Sequence, residues 1–223
     1  MTMTLKASLA AAACAVTALS SAGTASAQSA CADVGGTVDT AQICRGHIVT
    51  TTYTLDLSFP VGYPDQAPLA DYVTHTRDEW ADDAKAHPPG DRPPYLLTIT
   101  GTAFRSGALT SGTQTVVLDM NQDLGAHPVT SYKAFTYDLG KRAPITFDTL
   151  FKPGANPLAV LNPIVRRELG PLPFGDPGVD AYQNFALTDD AVIFFFSQGQ
   201  VLAQVDGPQR LSVPRTELAS LLG

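Results

Sequence analysis

The side chains in this sequence that could carry hydrolytic or metal chemistry are a few histidines, serines and carboxylates. His127 lies in D-L-G-A-H-P-V-T-S-Y-K-A-F (Asp123 to Phe135), between a Gly-Ala step and a proline. Gly125 gives the backbone freedom there, and Pro128 fixes its own φ and biases His127 toward an extended conformation. The segment therefore reads as a turn ahead of a strand, with His127 shaping the turn rather than acting as a general base. A base would need a nucleophile within hydrogen-bond reach. The nucleophile elbow G-x-S-x-G needs small residues on both sides of its serine, and no serine here satisfies it. Ser197 in F-F-S-Q-G comes closest, with Phe195 where the first glycine belongs; Ser106 in F-R-S-G fits a strand end opening into a turn. A triad assembled across the fold from His127, Ser106 or Ser197, and an aspartate stays open, because triads are geometric. The catalytic residues are left unassigned.

Metal chemistry finds less. D-M-N-Q-D-L-G (Asp119 to Gly125) imitates the start of a calcium loop, but Leu124 and Thr130 stand where that loop needs glycine and a bidentate glutamate. A polar turn between strands is the simpler reading. Asp78, Glu79, Asp82 and Asp83 cluster on the helix face opposite Trp80, as a solvated face does. His47, His75 and His87 are scattered without ligand spacing. No metal and no cofactor is implied.

These residues must be positioned by a chain of 223 residues, enough for one domain with a real core. The first 27 residues read as a leader to be removed: Lys6, the apolar run Leu9 to Leu19, and the small-residue site Ala25-Ser26-Ala27 before Gln28. The lipoprotein reading through Cys14 lacks the large aliphatic residue before the cysteine. Removing the leader takes Lys6 with it and leaves 13 basic against 21 acidic residues, a net charge of −8. That balance excludes a nucleic-acid binder, which needs a basic face for phosphates. No later run is apolar and long enough to span a membrane permanently. Cys31 and Cys44 remain, an even pair in an oxidising compartment, and read as a disulfide closing a small loop. The chain-entropy model makes it worth about 3 kcal/mol.

Thr51 to Phe59 alternates strictly and reads as a half-buried strand; Leu69, Tyr72, Val73, Thr76 and Trp80 recur at helical spacing, giving a helix from about Pro68 to Ala86. Strands follow at Tyr95–Phe104, Thr113–Asn121 and Ser131–Asp138. Asn156-Pro157 and Asn162-Pro163 read as two successive helix starts. Ala191 to Phe196 is apolar throughout, so it is expected to be a strand buried on both faces. Leu211–Val213 is a last short strand before a terminal helix opened by Pro214. Without βαβ regularity, the pattern points to α+β: helices packed on a mostly antiparallel sheet. Residues 28–223 are read as a single secreted domain, with an N-terminal lobe over about 31–121 and a C-terminal lobe over about 122–223.

Several long stretches carry a likeness: F-P-V-G-Y-P-D-Q, Y-V-T-H-T-R-D, G-T-Q-T-V-V-L, A-H-P-V-T-S-Y-K-A-F, P-I-T-F-D-T-L, Y-Q-N-F-A-L-T-D-D-A-V-I-F-F-F and G-P-Q-R-L-S-V-P-R. They run from about Cys31 to Leu222, and the chain resembles the secreted mycobacterial immunogenic protein family, which includes a tuberculosis culture-filtrate antigen. Its C-terminal half is similar to a domain of uncharacterised function also found in lysozyme-binding anti-sigma factors. The resemblance implies export, an α+β fold that is partly β-grasp-like, and no shared catalytic motif. Esterase activity has been attributed to a relative, but no family motif transfers onto named residues here.

Three functions follow as expectations. The first is a non-catalytic binding or antigenic module, whose acidic charge would steer a cationic envelope or host protein such as lysozyme. The second is a weak carboxylic-ester hydrolase. The third is a structural cell-envelope protein.

Overall fold

The computed structural model describes residues 30–223; the expected leader, its cleavage site and Cys14 lie outside them. Two sheets organise the chain. The larger has seven strands in sequence order: β1 (Thr37–Val38), β2 (Ile43–Val49), β3 (Tyr53–Pro60), β4 (Tyr95–Ser106), β5 (Thr113–Asp123), β6 (Val129–Asp138) and β7 (Ala143–Pro144). The smaller has β9 (Ala191–Phe196) between β8 (Phe185–Leu187) and β10 (Gln209–Pro214). The described residues also form the helices α1 (Gln66–Ala86), α2 (Phe147–Leu150), α3 (Leu158–Leu169) and α4 (Arg215–Leu218). The fold is α+β, with mostly antiparallel pairing, as expected.

One pair departs from that pattern. β3 and β4 are parallel, with α1 crossing between them, so the chain contains one βαβ unit that the sequence pattern did not suggest. The length of α1 allows it, because parallel neighbours need a long crossover. The helix lays Leu69, Val73, Trp80, Ala81 and Ala84 on Leu55, Leu57, Phe59, Leu97, Ile99 and Leu118 of the sheet. The Tyr53 ring meets Trp80 edge-on at 5.4 Å. Asp78, Glu79, Asp82 and Asp83 face solvent on its other side.

On the opposite face of the large sheet, Phe104, Val117, Tyr132 and Ala134 pack against Ala186, Ala191, Ile193 and Phe195 of the small sheet. The outer face of the small sheet buries Phe185, Val192, Phe194, Phe196, Leu211 and Val213 with Leu161, Ile164 and Val165 of α3. The layers are therefore helix, sheet, sheet, helix. Double coverage explains the apolar run of β9, all six of whose residues are buried.

Other boundaries move from expectation for local reasons. The two helix starts near Pro157 and Pro163 are one helix, α3, with Pro163 inside it. Proline removes one amide donor from the ladder, and burial of Leu161, Ile164 and Val165 on one face outweighs that loss. The terminal helix is a single turn, with Pro214 still extended as the last residue of β10. β5 runs on to Asp123, so most of the acidic calcium-loop mimic is strand; only Leu124 to Pro128 turn. Cys31 and Cys44 form a disulfide and are fully buried.

Candidate functional site

The histidine and serines singled out by sequence sit at three places and make no hydrogen bond to one another. His127 is exposed in the β5–β6 turn, where Gly125 takes φ +84° and donates its N–H to Asp123 Oδ1 at 2.7 Å. Ser106 ends β4, and its Oγ accepts a hydrogen bond from Arg215 Nη1 at 2.8 Å. Ser197 follows β9, and its Oγ accepts the backbone N–H of Tyr132 at 3.0 Å. That bond is one of three in which an amide on the outer edge of β6 donates to a side chain. Thr130 N–H donates to Gln198 Oε1 and Ala134 N–H to Asn184 Oδ1, each at 3.0 Å. Both serines are thus engaged in joining the sheets.

The arrangement with more chemical content lies on the large sheet, where the small sheet does not cover it. Strand register builds two rows across that face. The first runs His47, Asp56, Thr98, Asn121, Thr130; the second runs Arg45, Ser58, Thr100, Asp119, Tyr132. Side chains alternate along each strand, so these residues point away from the α1 core while Gly46, Leu57 and Ile99 point toward it. The result is an open groove of about 370 Å³ lined by Arg45, His47, Asp56, Ser58, Thr98 and Thr100.

Within it, His47 Nδ1 lies 2.6 Å from Asp56 Oδ1. When the imidazole is neutral and Nδ1–H donates to the carboxylate, Nε2 is left as the acceptor of the ring; the hydroxyls of Ser58, Thr98 and Thr100 line the same groove. Arg45 donates from Nη1 to Ser58 Oγ at 3.3 Å and from Nε to Asp39 Oδ2 at 2.8 Å. The hydrogen bond from Arg45 holds the Asp39 carboxyl below its usual range, helped by the Ile43 amide.

At the far end of the second row, the small sheet begins to shade the face. Burial raises the Asp119 carboxyl above its usual range. Burial also raises the Tyr132 phenol, with the Asp119 charge adding and Arg210 opposing. Arg210 lies over the rings of Phe104 and Phe195, at 5.5 and 5.4 Å.

Sequence reasoning counted His47 among the scattered histidines and missed its partner. The signal was present in I-C-R-G-H-I-V, where Cys44, Gly46 and Ile48 alternate with Arg45, His47 and Val49. The Thr50 hydroxyl accepts the N–H groups of Thr52 and Tyr53 at 3.2 and 2.9 Å, closing the hairpin that sets His47 opposite Asp56.

Comparison with known proteins fits this architecture. A family model described as a protein of unknown function (DUF3298) matches residues 148–216. Two solved DUF3298 proteins share the fold: one from Pseudomonas aeruginosa PAO1 (TM-score 0.55, 12% identity, covering 81% of this chain and 92% of that one) and one from Bacteroides fragilis (TM-score 0.51, 14% identity, 81% and 93%). The class is thus a two-sheet α+β protein with a DUF3298 region toward its C-terminus. Curated relatives narrow it. The chain is 46% identical over 200 residues to Esterase Rv3036c of Mycobacterium tuberculosis, covering 86% of this chain and 88% of the relative. It is 40% identical over 208 residues to Immunogenic protein MPT64 of M. tuberculosis and to MPB64 of Mycobacterium bovis, covering 89% of this chain and 90% of each. The chain belongs to the MPT64/MPB64 immunogenic protein family.

Proposed function

We propose that this protein is exported, through cleavage after Ala27, and acts as a non-catalytic binding module for a cationic envelope or host protein. The observation that carries this reading is the part of the large sheet's face that the small sheet does not cover: a polar surface that holds Asp56 and Asp123, with Asp119 at its shaded margin. A surface of that kind suits recognition by charge and hydrogen bonding. Net charge steers such a partner, and rim charges act mainly on the association rate. Lysozyme is the partner to test. It should associate at low salt and release as salt rises, and the combined variant Asp56→Asn/Asp123→Asn should associate more slowly. No binding at low salt, or binding indifferent to salt, overturns the reading.

A second reading, weak ester hydrolysis, rests on the His47–Asp56 pair beside three hydroxyls and on the esterase among the relatives. Against it, the His47 and Asp56 side chains are 64% and 45% exposed, far from the dry enclosure in which catalytic electrostatics are strong. Hydrolysis of p-nitrophenyl acyl esters separates the two. Turnover abolished by His47→Ala at unchanged melting temperature would establish the hydrolase. The variants His127→Ala, Ser106→Ala and Ser197→Ala test the other positions in the same assay.

A further inference from the structure

A second cavity lies at the seam between the sheets, on the same face of the large sheet but at its opposite end. Cross-strand pairing aligns Ser106, Thr113, Asp138 and Ala143 there, where β4 and β6 end and β5 and β7 begin. Leu187, Arg215 and Leu222 reach over this row from the C-terminal part of the chain and enclose about 330 Å³. The size falls at the lower end of the range for small-molecule sites.

Its lining divides by chemistry. Ile145, Leu150, Leu187 and Leu222 make an apolar wall. At the other side stands Arg215, held in place because Nη1 donates to Ser106 Oγ at 2.8 Å and to the Thr188 carbonyl at 3.0 Å. Among the described residues Arg215 has no carboxylate partner, although it is half-buried. Thr113, also in the wall, has its hydroxyl shielded from water with no hydrogen-bond partner. A shaded guanidinium without a counter-ion and an unpaired hydroxyl are both costly to leave unsatisfied.

From this geometry we infer that the seam is a binding site for a short- to medium-chain carboxylate, with the carboxylate on Arg215 and the alkyl chain on the apolar wall. Planar guanidinium matches carboxylate in a paired fashion. Lys141 adds positive charge at the rim, partly offset by Asp138 at 3.8 Å.

Sodium octanoate, titrated calorimetrically into the purified protein, tests this, with octanol as the uncharged control. Octanoate should bind and octanol should bind at least about tenfold more weakly, the scale of one charge-assisted hydrogen bond. Arg215→Met should lower octanoate affinity about tenfold to a hundredfold and leave octanol unchanged. Ile145→Trp, which adds bulk to the apolar wall, should abolish both. Equal affinity for octanoate and octanol, unchanged octanoate affinity in Arg215→Met, or no octanoate binding by the wild type overturns the assignment. The lysozyme assay and the His47→Ala arm of the ester assay read the far end of the sheet and stand or fall separately.

Discussion

Truncating Phe194 to alanine tests the two-layer core most directly. Its side chain is fully buried, placed between Leu211 of β10 and Phe185 of β8. The ring meets Tyr182 edge-on at 5.3 Å and Phe185 at 6.3 Å. Removing a buried phenylalanine costs about 3–5 kcal/mol in lost transfer energy and residual cavity. An aromatic pair adds roughly 0.5–1.5 kcal/mol beyond its area, so the upper part of the first range applies. For a chain of this size each kcal/mol moves the melting temperature by about 2–4 °C, which predicts a fall on the order of 8–20 °C. Guanidinium unfolding should show the same loss as a lower midpoint at unchanged slope. Phe174→Ala is the control: Phe174 is 64% exposed, and its loss should stay within about 0.5 kcal/mol. A Phe194→Ala midpoint within about 2 °C of wild type would refute the claim that β9 is the centre of the C-terminal core.

Replacing both Cys31 and Cys44 by serine should cost about 3 kcal/mol, read as a lowered denaturant midpoint; an unchanged midpoint under non-reducing conditions would deny the bond a stabilising role. Asp119 gives a pH-dependent outcome. Its folded-state carboxyl titrates above the ordinary 3.8, so its contribution is favourable while protonated and is lost as pH rises through the folded value. Asp119→Asn should therefore raise the melting temperature at pH 7, with the gain shrinking toward pH 3; an equal gain at both pH values would contradict the burial argument.

The sequence revealed most where one physical cause acted alone. Thr54 to Phe59 alternates because one face of β3 meets α1 and the other meets water. Ala191 to Phe196 is uniformly apolar because both faces are covered. β2 escaped notice because its alternation is faint: a glycine, Gly46, stands at the centre of the inward face between Cys44 and Ile48, with Arg45 and His47 on either side. The parallel pairing of β3 with β4 left no local mark, since α1 would read the same in either arrangement. The polar groove was hidden because His47 and Asp56 become neighbours only through the hairpin. The seam cavity was hidden by distance: Arg215 and Ser106 meet across 109 positions of chain. Pro163 misled because proline is a sound sign of a helix start until buried neighbours hold the helix through it.

The side chains along the outer edge of β6 have a consequence for how this protein tolerates crowding. An extended strand whose amides point outward is a template on which another chain can polymerise. Here the amides of Thr130, Tyr132 and Ala134 are occupied by Gln198, Ser197 and Asn184, three short plugs from the neighbouring sheet. Ser197, which by its sequence context comes nearest to a nucleophile, is in this position a guard against fibre growth. Losing its one oxygen would leave a vacant rung in the middle of the ladder.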